Sequence, residues 1–229
     1  IRICLVGSEM CIRDRFTICL LLAAGSILAQ FTGQIEFDLE GVNPKTNELE
    51  SSHWSMYVGQ KNLTMELHNA DESGGSLIFV PNTGNGDLHL YSTAEGTEVF
   101  FTSKGGQRSA TSSLMDRGFR MTKTSATDNV QGIACDVWSV VNENLEGEFC
   151  IAPSIDVDFA PYIDMYIDNV FMRSMEVNDV KGFPISWEVV DRYDGSIYRK
   201  GNVTALSDEA KHDLLVLPSH LKSIETLME

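Results

Sequence analysis

Basic residues are scarce in this chain: 17 Lys and Arg stand against 33 Asp and Glu over 229 residues, for a net charge of −16. The longest basic run is the pair Arg199-Lys200. A surface that grips nucleic acid or anionic lipid headgroups needs clustered Lys and Arg, so neither is the main partner expected here. With 6 Pro, 18 Gly and 22% charged residues, the composition also excludes a collagen-like chain, a coiled coil and a disordered tail. Catalytic signatures are missing too. There is no G-x-S-x-G, no Walker loop, no G-x-G-x-x-G and no H-E-x-x-H, and Gly74-Gly75 and Gly105-Gly106 are too short to cradle a phosphate. No enzyme and no cofactor are expected.

The one long apolar run is Phe16 to Ala29, FTICLLLAAGSILA, preceded by Arg13 and Arg15. At 1.5 Å per residue a run of this length spans ~21 Å, short of a ~30 Å hydrocarbon core. It reads as a signal peptide cut after Ala29, not as a membrane anchor. Gln30 follows, with no cysteine to carry a lipid, so a periplasmic or secreted protein without an anchor or an integral membrane span is expected. Residues 1–15, IRICLVGSEMCIRDR, lack an initiating Met and resemble a translated sequencing-library adapter. They are expected to be an artefact, with the true start lost.

Of five cysteines, Cys4, Cys11 and Cys19 fall in those leading residues, leaving Cys135 and Cys150. Two cysteines in an exported chain usually pair, and they form neither a C-x-x-C redox motif nor a zinc site. The rival reading is two buried free thiols.

From Phe31 the chain alternates apolar and polar residues: Phe31, Gly33, Ile35, Phe37 and Leu39 against Thr32, Gln34, Glu36, Asp38 and Glu40. Period two predicts a half-buried strand. Further strands are predicted over 53–58, 63–68, 76–80, 87–92, 98–103, 118–124, 133–141, 146–153, 185–193, 196–206 and 213–217, punctuated by turn residues such as Pro81 to Gly86 and Asp194-Gly195. The period changes only after Ala160. Ile163, Ile167, Val170, Phe171 and Ser174 recur at three and four, predicting one long helix with Asp158 as its cap, ended by Gly182 and Pro184. A short helix from Ser219 to Glu229 is predicted to close the chain. No linker divides residues 30–229. The expected fold is a single, mainly β (α+β) domain: a curved antiparallel sheet or incomplete β-barrel covered by the long helix and the short C-terminal one.

The pieces FTGQIEF (31–37), MYVGQKNLTMEL (56–67), GIACDVWSV (132–140), FCIAP (149–153) and KGFPISWEV (181–189) resemble the domain-of-unknown-function family 4412 of exported bacterial proteins. Members show a Gly-x-x-Cys step, an apolar-x-Pro strand end and a Gly-x-Pro before a strand. Cys150 departs from the family's aromatic at that position, so the resemblance implies no disulfide. By analogy of architecture it implies a fold like that of the periplasmic lipoprotein carriers of the Lol type, an incomplete barrel over an apolar cavity.

Among polar residues, His53, His68, His89, His212 and His220 fall in separate elements without metal-ligand spacing. Asp156, Asp158, Asp164 and Asp168 are dense but lack the turn of a calcium loop, and read as a solvated helix face. The sequons at Asn62 and Asn202 matter only in a eukaryotic source. Methionine is plentiful at Met56, Met65, Met115, Met121, Met165, Met172 and Met175, and flexible thioethers suit adaptable apolar walls. A ligand cavity is therefore expected between Met56, Met65, Phe79, Phe101, Trp138 and Trp187 of the sheet and Ile163, Ile167 and Phe171 of the helix. Two functions follow: a carrier for a lipid, a lipidated segment or an apolar small molecule, or a structural and interaction protein of the cell envelope with a packed core. A cavity of ~300 Å³ or more separates them.

Overall fold

The computed structural model describes residues 30–43, 46–69, 74–104, 118–162, 170–209 and 211–224. The leader expected over 16–29 and the segment 1–15 lie outside the described residues. Twelve strands follow in chain order. They are β1 (Gly33–Val42), β2 (Leu49–Val58), β3 (Leu63–Leu67), β4 (Leu77–Asn82), β5 (Asp87–Ser92), β6 (Val99–Ser103), β7 (Arg120–Val130), β8 (Ile133–Val141), β9 (Leu145–Ala152), β10 (Phe183–Asp191), β11 (Ile197–Ser207) and β12 (Lys222–Ser223). They form one sheet in the order β12-β6-β5-β4-β3-β2-β1-β11-β10-β9-β8-β7. Every neighbouring pair is antiparallel except β12 with β6.

Alternation sets the faces. Residues directly opposite across a ladder share a face, so the register spells out two inward rows. One runs Ile35, Met56, Met65, Phe79, Leu90, Phe101 from β1 to β6. The other runs Leu39, Gly201, Trp187, Phe149, Trp138 from β1 through β11, β10 and β9 to β8. Bulges interrupt the ladders between Glu36 and Phe37, between Pro184 and Ser186, and between Lys123 and Thr127. Each bends its strand, and the second accommodates Pro184, which has no amide to donate. The curled sheet buries Ile35, Met56, Phe149, Ile151, Ile185, Val189 and Val203 in one core. On the opposite face of β4 and β5, Ile78, Val80 and Tyr91 make a small second core with Leu221, backed by Phe100 and Leu217.

The expected long helical roof is corrected. Over this stretch the described residues hold one α-helix, α1 (Val170–Val177); a three-residue 3-10 turn, Ala160–Tyr162, comes earlier, and residues 163–169 lie outside the described residues. Local bonds hold the 3-10 turn and close α1 at its C-terminus. Asp158 Oδ1 accepts from the Ala160 amide at 3.1 Å, capping the 3-10 turn, and Tyr162 Oη donates to the Lys61 carbonyl at 2.9 Å, tying that turn to the β2–β3 hairpin. At the other end Asp179 takes a left-handed φ of 52°, and the Val180 and Asp179 amides donate to the Met175 and Glu176 carbonyls at 2.8 and 3.0 Å. That is the Schellman ending, with Val180 and Met175 buried behind it. The helix therefore stops before Gly182 and Pro184, which belong to the entry into β10.

Two C-terminal expectations are corrected as well. Residues 213–217 are not a strand, because His212–Leu215 form a 3-10 turn whose Leu215 carbonyl accepts from Asn62 Nδ2 at 3.2 Å and whose Leu215 side chain is buried. The helix expected from Ser219 gives way over Lys222–Ser223 to β12, drawn into extended pairing with Val99 and Phe100 while Leu221 fills the second core, and among the described residues of that stretch helical geometry is seen only at Ile224. Residues 225–229 lie outside the described residues.

Cys135 on β8 and Cys150 on β9 are joined in a disulfide, with Cα atoms 5.4 Å apart. Both are buried, and the free-thiol alternative falls.

Candidate functional site

The inward rows do not meet across the middle of the curled sheet. They leave a cavity of about 300 Å³. Phe37 and Leu39 of β1, Trp54 and Met56 of β2, Met65 of β3, Phe79 of β4 and Leu88 of β5 form one wall. Phe149 of β9, Phe183, Pro184 and Trp187 of β10 and Arg199 of β11 form the other. Phe159, from the segment after β9, and Met172 and Met175 of α1 complete it. Residues from eight strands thus converge on one space, which only a strongly curved sheet permits.

The walls are held by rings. Phe37 stacks on Trp54 with centroids 6.5 Å apart, Trp54 meets Phe79 at 5.7 Å, and Phe37 meets Trp187 at 6.1 Å. Such offset and tilted pairs fix side chains that would otherwise collapse into the void. Helix α1 is anchored just as firmly: Ser174 Oγ accepts from the Phe119 amide at 2.8 Å, and Asn178 accepts from the Met121 amide and donates to the Phe119 carbonyl. Met172 and Met175 are held against the cavity by these bonds to the chain entering β7.

Four of the residues expected to line a cavity do so: Met56, Met65, Phe79 and Trp187. Phe101 ends the first inward row but stands on the outer strand pair, 56% exposed and away from the cavity. Trp138 ends the second row and packs against the core beyond Phe149. Ile163 and Ile167 lie outside the described residues, as does the side chain of Phe171. Residues missed by the sequence reading include Phe37, Leu39, Trp54 and Leu88. Their signal was present, since each shares the parity of an inward neighbour: Ile35, Met56 or Leu90. Arg199 carried no signal, because a basic residue next to Lys200 reads as solvated surface.

The lining is apolar but for a few polar atoms. Trp54 Nε1 donates to Ser52 Oγ at 2.9 Å. The Trp187 indole N–H, on a side chain 8% exposed, is buried without a hydrogen-bond partner. Arg199 is the single charged residue among those lining the cavity. Its guanidinium lies over Gly41, where a Cβ would stand 3.5 Å from Nε, and 5.9 Å from the Tyr198 ring centroid.

A polar network lies on the other face of β2 and β3. Ser55 Oγ is 2.8 Å from His68 Nε2, His68 Nδ1 is 3.4 Å from Glu66 Oε1, and Tyr57 Oη donates to Glu66 Oε2 at 2.6 Å. The His53 ring lies 4.9 Å from His68, with its Nδ1 2.7 Å from Asp38 Oδ1. Burial, followed by the bond to Glu66, raises the Tyr57 phenol far above its usual pKa, so Tyr57 stays a donor. Hydroxyl, imidazole and carboxylate follow in the order of a hydrolytic triad. Ser55, however, is 0% exposed, and Gln34 Nε2 also reaches it at 3.3 Å. Among the described residues no three His, Cys, Asp or Glu side chains converge as a metal site, and no helix is long and apolar enough to cross a membrane.

No family model and no curated protein match the chain, so the likeness to domain family 4412 stays an expectation from its motifs. Among solved structures, PNGF-II is matched at 12% identity and a TM-score of 0.40 over 86% of this chain, which spans 31% of that one. A LolA superfamily protein from Nitrosomonas europaea is matched at 7% identity and a TM-score of 0.34, covering 84% of this chain and 93% of the other. A putative outer membrane lipoprotein-sorting protein domain from Vibrio parahaemolyticus is matched at 8% identity and a TM-score of 0.33, covering 80% and 89%.

Proposed function

We propose that this protein is an exported, non-catalytic carrier that encloses the apolar part of a lipid, a lipidated segment or a small amphiphile between its curved sheet and α1. One observation carries the reading: the sheet holds open about 300 Å³ of space walled by methionines and aromatic rings. This is at the lower bound of small-molecule sites. A scaffold whose work lies on its surface has no use for such a space, and closing it would stabilise the fold by recovering lost contacts. Met56, Met65, Met172 and Met175 supply walls that repack around chains of differing shape. The Cys135–Cys150 bridge supports a place outside the cytosol, where disulfides persist.

The test uses N-phenyl-1-naphthylamine, an apolar dye that brightens when it leaves water. Saturable brightening at one dye per chain, abolished in Met65→Trp while the melting transition persists, is the expected result. Brightening that Met65→Trp leaves untouched would place the dye elsewhere and overturn the reading.

A further inference from the structure

The carrier reading leaves the head of the cargo unspecified, and the cavity's few polar atoms address it. Among the described residues, every side-chain polar group on the lining is a hydrogen-bond donor: the Trp54 and Trp187 indoles and the Arg199 guanidinium. Among the described residues no carboxylate, amide or hydroxyl side chain lines the space. The Trp54 donor is used by Ser52, whereas the Trp187 donor is buried with no acceptor in reach. A buried N–H left without a partner costs free energy comparable to a lost hydrogen bond, and an apolar interior offers it no water. An occupant that brings its own acceptor removes that cost.

The register puts the two donors together. Trp187 lies opposite Gly201 and Arg199 opposite Val189 on the neighbouring strands β10 and β11, so Trp187 and Arg199 are diagonal neighbours on the inward face. Such pairs stand roughly 7–8 Å apart at the backbone, within reach of side chains as long as these, so that one carboxylate can accept from both. Gly41 stands opposite Arg199 on β1, with the guanidinium lying over it. Six residues along β1 separate Gly41 from Ile35, the level of Met56, Met65 and Phe79. At 3.4 Å per residue that is about 20 Å of apolar wall leading away from the cation.

We propose that the ligand is an amphiphile with a carboxylate head seated at Arg199 and the Trp187 N–H and an apolar tail running toward Met56, Met65 and Phe79. This rests on the carrier reading and adds the head-group chemistry to it. At about 30 Å³ per heavy atom, the share of a water in the liquid, the cavity holds about ten atoms, so the fit is to a medium-length chain. Arg is suited to the task, because its planar fork meets a carboxylate through two parallel bonds. The chain's net charge of −16 repels anions at long range, so a preference for one must come from a local cation. A membrane surface would need many such cations; one buried head needs one.

The experiment compares decanoate, decan-1-ol and decyltrimethylammonium as displacers of the bound dye at neutral pH. Decanoate is expected to bind at least about tenfold tighter than the alcohol and the cation to bind weakest, since a charge-assisted pair outweighs a neutral bond. In Arg199→Gln the acid-to-alcohol ratio is expected to fall to about one, and in Trp187→Phe to fall several-fold. The wild-type comparison needs no variant, so misfolding of either substitution leaves the test intact. Equal binding of acid and alcohol, or a preference for the cation, overturns the head-group assignment while leaving the carrier reading in place. Failure of the dye and all three displacers to bind overturns both.

Discussion

Gly201 lies directly beneath the indole of Trp187. A Cβ at that position would overlap Cζ2 and Cε2 of the ring and stand 2.8 Å from Cη2. The ring occupies the groove that the missing side chain leaves, and so reaches Phe37 and the cavity. Gly201→Ala should displace it. The core around it is closely packed, so a loss of about 1–3 kcal/mol in urea unfolding is expected, together with weaker dye binding. An unchanged midpoint with unchanged binding would mean that the indole is free to tilt and does not set the cavity's shape.

Beside the Ser174–Phe119 bond, the Asn178 amide ties α1 to the chain entering β7. Asn178 Nδ2 donates to the Phe119 and Ser174 carbonyls at 2.9 and 2.7 Å, and its Oδ1 accepts from the Met121 amide at 3.2 Å. Asn178→Ala strands these partners at a part-buried site and should cost about 1–3 kcal/mol. Hydrogen exchange at the amides of Val170–Val177 should quicken more than exchange in β1 or β10. Uniform quickening would show that the helix is not separately anchored there.

The Cys135–Cys150 bridge closes a loop across a separation of 15 residues. In the chain-entropy account such a loop contributes about 3 kcal/mol, so the double substitution to Ala should lower stability by ~2–4 kcal/mol. The bridge lies beyond Phe149, outside the cavity lining, and dye binding under native conditions should survive its removal.

His89 makes stability depend on pH. Burial lowers its pKa below 6.5, with Lys104 acting in the same direction and Asp87 opposing, while its Nδ1 stays 3.1 Å from Thr102 Oγ1. The unfolded chain then takes up the proton first. Stability attributable to this group is full above pH 6.5 and is lost as pH falls toward the folded-state pKa. In urea titrations between pH 7 and pH 5, His89→Gln should lose less stability than the wild type. Parallel decline of the two would remove His89 from the account.

Strand alternation made most of the sheet legible. β5 and β8 appear over the residues predicted, Asp87–Ser92 and Ile133–Val141, and the pairing of the two cysteines followed from their placement on neighbouring strands. The cavity was half legible for the same reason. Parity marks Met56, Met65, Phe79 and Trp187 as inward, yet parity alone cannot say how far a row extends before the sheet curls away. Phe101 and Trp138 are therefore inward residues at the wrong ends of their rows. Where sequence periodicity misled, tertiary bonds were the cause. The left-handed Asp179 closes the helix before the stop signals Gly182 and Pro184, and Leu217 and Leu221 belong to a second core behind β4 and β5 that no local period announces. The nearness of His53 to His68 is likewise a product of register, the two lying 15 positions apart in sequence.

The most direct test of the apolar site is native mass spectrometry of the purified protein, before and after unfolding in organic solvent. The account predicts a folded species heavier than the chain by one amphiphile, which unfolding releases and which Met65→Trp fails to carry. A bare folded chain that also takes up no amphiphile when one is supplied would contradict it.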